Sequence, residues 1–472
     1  MPLGAREEVL EPMMDAPNSL AARDIAYSLH PYTNLDAHQT RGPFIITRGQ
    51  GIHVYDDQDN AYIEGLAGLW CTGLGFSETR LIKAAEQQMQ TLPFNHSFAH
   101  RAMPPVIDLA EKLVQIAPGE LSRPYFVNSG SEAVDTAIKM VWYYHNAIGK
   151  PAKKKIISRK RGYHGVTIAS GSLTALPFAQ DGWDLPIDRI IHTETPCFYR
   201  YGQDGETEDE FSTRMAETLD AQIEAEGPDT VAAFIAEPVM GAGGVLVPPT
   251  GYFNKIQQVL KKHDVLMIAD EVITGFGRTG NMWGCETYGI TPDLLTCAKQ
   301  LSSAYFPIGA VMVTDKLFQA FVEASKQYGI FGTGNTYGGH PVGAAVALET
   351  LKIYEDDDIL GHVNDVAPRF QERLAKLGDH PLVGEARGVG LLGGLELVAS
   401  KETREQYPPT AKAALTVADK ALSHGLIVRP LPGDAIGICP PLIVSTDDID
   451  DMFSRLERGL NDAFDDLKDT DT

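Results

Sequence analysis

Cysteines are few in this sequence, and long apolar runs are missing. Its 472 residues include five Cys, none in CxxC spacing, so neither a disulfide framework nor a metal site is indicated. No apolar run reaches the roughly 18 residues that a membrane span needs, and the N-terminus lacks the basic start and apolar core of a secretory signal. We therefore expect a cytoplasmic protein that does not cross a membrane.

Basic residues are also scarce. The chain has 40 Lys and Arg against 63 Asp and Glu, a net charge of -23, which repels phosphate backbones and anionic lipid headgroups. The one dense basic run, Lys153 to Lys155 followed by Arg159 to Arg161, is interpreted as a solvated loop. Nucleic acid is accordingly not an expected partner.

Apolar and helical segments alternate through the middle of the chain. Between about residues 105 and 315, apolar stretches of strand length alternate with amphipathic helical ones, which indicates an α/β fold with a mostly parallel sheet. Short β-rich pieces precede this region and a second α/β region follows it. We predict an N-terminal arm with part of a small domain (1–75), a large domain (76–340) and the rest of the small domain (341–472).

A carboxylate and a lysine suggest a cofactor site. Asp270 ends the apolar segment 265–270, and Lys299 follows the next apolar segment. A Lys amine can hold an aldehyde as a Schiff base, and a carboxylate can keep the ring nitrogen of that aldehyde protonated, as pyridoxal phosphate chemistry requires. Most Lys residues are solvated surface charges, so this pair needs support from the rest of the chain.

Two hydroxyl-bearing segments could bind a phosphate. Ser129 and Ser131 lie where a strand ends and a helix begins, so free backbone N–H groups and hydroxyls could form a phosphate cradle; an ordinary helix cap is the alternative. Thr336 lies in the Gly-dense loop 332–339 and could offer a further hydroxyl, although that loop also fits a flexible hinge.

Two other segments could contact a flat cofactor. Tyr163 follows a predicted strand and could cover one face of a ring, or be an ordinary core Tyr. Glu237 ends another strand and enters a Gly-rich turn that lets the backbone approach a ligand closely. Two GxGxxG matches, at 275–280 and 388–393, do not open helices, which makes a nicotinamide enzyme the lesser alternative.

Taken together, these segments resemble the class III pyridoxal-phosphate aminotransferases of fold type I, the ω-amino acid:pyruvate group in particular, from about residue 30 to about 460. The likeness rests on residues 68–71 (GLWC), 128–132 (NSGSE), 162–165 (GYHG), 236–239 (AEPV), 269–272 (ADEV), 275–280 (GFGRTG), 298–299 (AK), 307–310 (PIGA), 336–341 (TYGGHP) and 428–429 (VR). Several motifs in one order are far more specific than any one of them.

The resemblance implies a role for each matching residue. It gives Lys299 as the Schiff-base lysine; Ser129, Gly130, Ser131 and Thr336 of the partner subunit on the phosphate; Tyr163 and Val272 on the two faces of the ring; Asp270 at the ring nitrogen; Glu237 near the ring hydroxyl; Tyr32, Trp70 and Tyr163 in the substrate pocket; and Arg429 on a substrate carboxylate. A homodimer, or a tetramer, with shared sites is implied as well.

The implied activity is transfer of an amino group from a primary amine or ω-amino acid to a 2-oxo acid, with pyruvate as the expected acceptor, by a ping-pong mechanism. A decarboxylase or racemase of the same fold, or a non-catalytic protein that binds the cofactor, stays as an alternative. Gln300, Asn335 and the pair Asn95 and His96 depart from the pattern of many relatives, which leaves the amine specificity open.

Overall fold

The computed structural model describes residues 18–468; the predicted arm residues 1–17 and the last four residues lie outside the described range. The helices are α1 Leu20–Tyr27, α2 Leu35–Arg41, α3 Ala67–Trp70, α4 Thr79–Thr91, α5 Pro104–Ile116, α6 Gly130–Ala147, α7 Ile168–Leu173, α8 Pro177–Gln180, α9 Phe198–Tyr201, α10 Glu208–Glu226, α11 Tyr252–Lys262, α12 Gly284–Tyr288, α13 Asp315–Tyr328, α14 Pro341–Asp356, α15 Ile359–Leu377, α16 Ala413–Ser423 and α17 Thr446–Lys468. The strands are β1 Ile46–Gln50, β2 His53–Asp56, β3 Ala61–Glu64, β4 Leu121–Val127, β5 Lys155–Arg159, β6 Ile190–Thr193, β7 Val231–Ala236, β8 Leu266–Asp270, β9 Leu294–Cys297, β10 Gly309–Thr314, β11 Val383–Val389, β12 Leu392–Leu397, β13 Leu426–Ile427, β14 Arg429–Leu431 and β15 Ala435–Ile438.

A seven-stranded sheet forms the centre of the molecule. Its strand order is β4-β10-β9-β8-β7-β5-β6, and β10 runs antiparallel to both of its neighbours while the other pairs are parallel. Every residue of β7, β8 and β9 is buried, as expected for strands covered by helices on both faces. The predicted α/β fold with a mostly parallel sheet is confirmed.

Two smaller sheets accompany the central one, and the first of them joins the two ends of the chain. One has the order β1-β2-β3-β13, in which β13 from the C-terminal part pairs in parallel with β3 from the N-terminal part. The other has the order β11-β12-β15-β14 and is antiparallel. This pairing of distant segments is what a small domain built from both chain ends requires, and the boundaries at residues 75 and 340 stay a prediction.

The basic run is only partly solvated: Lys160 is exposed, but Lys153 and Arg159 are buried, so the interpretation as a solvated loop was wrong for these two residues. Lys153 is 3% exposed, and its Nζ donates to the carbonyls of Val231, His263 and Asp264 at 2.7–3.1 Å. Arg159 is 1% exposed and donates to the carbonyl of Glu237 at 2.6 Å. Strand ends of the central sheet leave carbonyls without ladder partners, and these cations satisfy them.

No helix within residues 18–468 is both long enough and apolar enough to span a membrane.

A buried acid in the small sheet predicts a pH-dependent stability. Glu64, the last residue of β3, is 5% exposed and accepts a hydrogen bond from the backbone N–H of Leu66 at 3.1 Å. Burial raises the pKa of Glu64 from 4.5 to about 7. Because the unfolded chain loses this proton first, the contribution of Glu64 to stability is fully present below about pH 4.5 and is lost as the pH rises through 7.

We therefore expect Glu64→Gln, which cannot ionise, to gain in melting temperature relative to the wild type as the pH rises from 5 toward 8. Thermal unfolding across that range measures the difference. Glu111→Gln, on the exposed face of α5, is the control and should show no such trend. A Glu64→Gln difference that stays constant with pH would contradict the assignment.

Candidate active site

The predicted site residues gather at the carboxyl ends of the central strands. Asp270 ends β8, Glu237 follows β7, Tyr163 lies in the loop after β5, and Lys299 follows β9. Carboxyl ends of neighbouring parallel strands meet at one edge of a sheet, where ligands of such folds bind. The fold thus brings together four side chains that are far apart in the chain.

Both carboxylate oxygens of Asp270 accept hydrogen bonds. Its side chain is 4% exposed; one oxygen accepts from His164 Nδ1 at 2.8 Å and the other from the backbone N–H of Val272 at 3.1 Å. His164 is fully buried, and its Nε2 has no hydrogen-bond partner within residues 18–468. This pattern assigns the ring proton to Nδ1 and fixes the direction of the carboxylate.

His164 was not among the site residues predicted from the sequence. Its only signal in the sequence is its place beside Tyr163, after a strand. The contact with Asp270 spans 106 positions of the chain, so no local pattern could reveal it.

The start of α6 forms a small cradle. Ser129 caps the helix by accepting from the backbone N–H of Glu132 at 3.2 Å, and Ser131 Oγ accepts from the backbone N–H of Val166 at 3.1 Å. A Cβ on Gly130 would lie 3.0 Å from a methyl group of Val272. The absence of a side chain there lets the first turn of α6 lie against Val272, next to Asp270.

Gly165 closes the other side of this cradle. Its φ is +135°, a conformation that only glycine adopts readily, and a Cβ there would lie 2.7 Å from Ser131 Oγ. The first N–H groups of a helix have no partners within the helix and attract anions. Ser129, Gly130 and Ser131 therefore offer N–H and hydroxyl groups of the kind that bind a phosphate.

Glu237 ties two loops of the site together. It is 3% exposed, and its carboxylate accepts from the backbone N–H groups of Tyr163 at 3.0 Å and Gly241 at 2.9 Å. Burial raises the pKa of Glu237. The carboxylate fixes the backbone that carries Tyr163, which is half-buried beside the cavity described below.

Lys299 has a strained backbone and a depressed pKa. Its φ is +49°, in the left-handed region that costs a residue with a side chain on the order of 1–2 kcal/mol. Burial lowers the pKa of the Lys299 ammonium, and the positive charge of Arg429 lowers it further. A lower pKa increases the fraction of the neutral amine, the form that attacks a carbonyl carbon.

Both cations of the site lie close to the ring of Trp70. Lys299 Nζ is 5.3 Å and Arg429 Cζ is 5.0 Å from the centre of its ring. Trp70 is 2% exposed, so its ring is a fixed wall that both cations face. Burial also lowers the pKa of the Arg429 guanidinium.

A large cavity opens beside this wall. Its volume is about 990 Å³; Tyr32, Tyr163 and Arg429 line it, whereas Trp70, the fourth residue assigned to the substrate pocket, is not among its lining residues. The hydroxyl groups of Tyr32 and Tyr163 are 3.4 Å apart. Phe178 and Trp183 also line the cavity. Neither was predicted, because their segment of short turns carries no recognisable motif.

The departures from the family pattern lie in different places. Gln300 is buried: its side-chain oxygen accepts from Arg278 at 3.1 Å, and its amide donates to the carbonyl of Gly275 at 3.1 Å. Asn335 donates to Glu132 at 3.3 Å, which brings the loop of Thr336 near the start of α6, where Thr336 itself is exposed. Gln300 packs beside Lys299 and not in the cavity wall.

Comparisons with known proteins identify the family. Residues 35–460 match the family described as Aminotransferase class-III. The chain is 47% identical to gamma aminobutyrate transaminase 3, chloroplastic, of Solanum lycopersicum over 452 residues, which covers 94% of this chain and 87% of that protein. It is 45% identical to an uncharacterized aminotransferase of Sinorhizobium fredii, covering 95% of this chain and 97% of that one.

Solved structures of transaminases are also similar to this chain. The omega transaminase from Pseudomonas jessenii in complex with PMP is 51% identical, with a TM-score of 0.94, and the match covers 95% of this chain and 99% of that chain. A structure titled transaminase with L-ala is 53% identical, with a TM-score of 0.88, over 90% of this chain and 100% of that chain. The cradle at the start of α6, the carboxylate of Asp270 and the amine of Lys299 supply the groups that pyridoxal phosphate requires. The chain belongs to the class III aminotransferases, enzymes that use pyridoxal phosphate to transfer an amino group from a small amine donor to a keto acid.

Proposed function

We propose that this enzyme is an ω-transaminase that moves the amino group of a primary amine or ω-amino acid to pyruvate. The observation that carries the proposal is the position of Arg429, half-buried at the cavity wall and facing the same Trp70 ring as Lys299. The amine for the chemistry and a guanidinium for a carboxylate thus lie 5.3 Å and 5.0 Å from the centre of the same ring.

The residues of the cradle would hold the cofactor. Ser129, Gly130 and Ser131 would bind its phosphate, and Asp270, fixed by His164, would keep its ring nitrogen protonated. Bound pyridoxal phosphate supplies an electron sink for the carbon that exchanges its amino group. Tyr163 and Val272 would contact the two faces of the ring, and Glu237 would lie near the ring hydroxyl.

Lys299 would do two things in this site. Its amine would hold the cofactor in the resting enzyme, and once a substrate amine has displaced it, the same Nζ would carry a proton to and from the reacting carbon. The depressed pKa of Lys299 supports this assignment, because a proton carrier works best when its pKa lies near the operating pH.

Pyruvate as acceptor is supported by two observations. Arg429 can bind a small carboxylate with two parallel hydrogen bonds, and a neighbouring structure is titled transaminase with L-ala, which names the product that pyruvate gives when it accepts an amino group. The apolar cavity walls formed by Tyr32, Phe178 and Trp183 would receive the side chain of the amine donor.

The same proposal includes the assembly and the location. The exposed loop that carries Thr336 fits a homodimer in which Thr336 of the partner subunit reaches the phosphate, as in the family that the chain resembles. The five cysteines are all free, which fits a reducing compartment, and we place the enzyme in the cytoplasm.

A donor panel tests the function. Purified holoenzyme is incubated with pyruvate and, in turn, an arylalkyl amine, γ-aminobutyrate, β-alanine and taurine, and alanine is measured. We expect stoichiometric alanine with at least one donor. Release of carbon dioxide, or loss of optical activity without carbonyl product, would instead support a decarboxylase or a racemase.

Arg429→Ala tests the carboxylate contact. We expect the KM for pyruvate to rise about 10-fold or more, because a charge-assisted hydrogen-bonded pair contributes about 1.5–3 kcal/mol, while the KM for an arylalkyl amine changes little. Steady-state kinetics with each substrate varied in turn measures both. Arg429→Lys is the matched control, and it should recover only part of the loss because an ammonium cannot make the bidentate contact. Equal effects on the two substrates would contradict the role.

A further inference from the structure

Two histidines and an aspartate meet in the N-terminal segment. Asp24 lies on α1, His38 on α2, and His30 in the segment that joins the two helices. Both imidazole Nε2 atoms point at one carboxylate oxygen of Asp24, at 2.7 Å from His30 and 3.1 Å from His38. One ligand atom from each of the three residues lies within 4.8 Å of the others.

This set of atoms matches the ligands of a zinc-type cation. Imidazole nitrogen and carboxylate oxygen bind Zn²⁺ at about 2.0–2.2 Å, and three protein ligands leave a fourth position for water. The side chains of His30, His38 and Asp24 are 31%, 10% and 23% exposed. These three side chains are mostly buried, but they are exposed enough for an ion from solvent to reach them.

A second cluster in the chain provides a contrast. Asp220, Glu224 and His263 also bring their ligand atoms within 4.8 Å. There, Lys262 Nζ already lies 2.8 Å from both oxygens of Asp220, and a positive charge in that position competes with a metal ion. The Asp24 carboxylate is hydrogen-bonded to the two histidines, and no Lys or Arg pairs with it within residues 18–468.

We propose that Asp24, His30 and His38 form a binding site for a divalent transition metal of the zinc type. The ion would join α1 to α2 and fix the segment between them. That segment carries Tyr32, whose hydroxyl lies 3.4 Å from that of Tyr163 in the cavity wall. Metal binding would therefore order one wall of the substrate cavity, a property separate from the amino transfer proposed above.

Calorimetric titration of the full-length, tag-free holoenzyme with Zn²⁺ tests the site, after prior removal of metal with a chelator. We expect one saturable ion per chain. Asp24→Asn and His38→Gln should each weaken its binding at least about 10-fold, because even loss of an outer-shell partner of a ligand costs that much, while His263→Gln in the contrasting cluster should leave the binding unchanged. Absence of saturable binding, or equal affinity in Asp24→Asn, His38→Gln and the wild type, would overturn the proposal.

Thermal unfolding gives a second readout that does not depend on activity. An ion that binds the folded chain raises its melting temperature by mass action. We expect Zn²⁺ to raise the melting temperature of the wild type and of His263→Gln but not of His38→Gln. A rise of the same size in all three proteins would place the ion elsewhere and overturn the proposal. Neither readout requires amino transfer, so this proposal and the proposed function fail separately.

Discussion

Lys299→Ala is expected to abolish amino transfer, with a loss of at least about 10⁴-fold in rate, the upper end of what a positioned acid–base group contributes. Lys299 would supply both the amine that holds the cofactor and the proton carrier, and no other side chain named in the site can replace it. Alanine formation under single-turnover conditions measures the loss. Treatment of the wild type with borohydride, followed by peptide mapping, should place the cofactor label on Lys299.

Lys160→Ala is the matched control. Lys160 is a neighbour of the site in the loop after β5, but its side chain is half exposed and pairs with Glu194 on the surface, so its loss should leave the rate unchanged. Lys299→Arg keeps a positive charge and should still be inactive, because a guanidinium is neither a nucleophile nor a proton carrier near neutral pH. Label on another lysine would remove the basis of the assignment.

Asp270→Ala is expected to slow the half-reaction with an amine by about two to four powers of ten. Removing one partner of a buried ion pair costs about 3–5 kcal/mol, and each 1.4 kcal/mol is a factor of ten in rate. Asp270 is 4% exposed and is fixed by His164 and the backbone of Val272. Solvent therefore has little access to compensate for the loss of its negative charge. Stopped-flow absorbance of the cofactor after addition of amine follows the half-reaction directly.

Glu271 offers a control from the adjacent position. It is fully buried as well, but its carboxylate accepts from the Thr274 hydroxyl at 2.5 Å and from the backbone N–H groups of Gly284 at 3.0 Å and Cys285 at 2.6 Å. Glu271→Gln should lower the melting temperature and keep the half-reaction rate of the folded fraction. If Asp270→Ala retained more than a tenth of the wild-type rate, Asp270 would not be the partner of the ring nitrogen.

The strands that carry the site were predictable because buried parallel strands have a distinctive composition. The apolar stretches predicted between about residues 105 and 315 include those that form β4, β5, β7, β8, β9 and β10. β6 was missed because it is a short edge strand that contains His192 and Thr193, and a half-polar strand of four residues resembles a loop. The glycine-rich segment 388–393 spans the turn between β11 and β12, as its lack of a following helix indicated.

The packing of charged side chains was not predictable in the same way. A run of Lys and Arg is usually solvated, yet Lys153 and Arg159 are buried against backbone carbonyls that belong to other parts of the chain. Whether a cation is buried depends on acceptors that the fold brings to it. These acceptors are distant in sequence, so the local pattern gives no sign of them.

From the sequence alone, the resemblance of several ordered motifs indicated the family and the cofactor. The positions of Asp270 and Lys299 after neighbouring apolar segments made them candidates, because groups that follow parallel strands meet at one sheet edge. Only the tertiary structure showed the partner of Asp270, the ring that Lys299 and Arg429 both approach, the aromatic walls of the cavity, and the contact of Asp24 with His30 and His38. Each of these features depends on a short distance between residues that are separated by up to several hundred positions in the chain. Local periodicity and motifs carry no information about such distances.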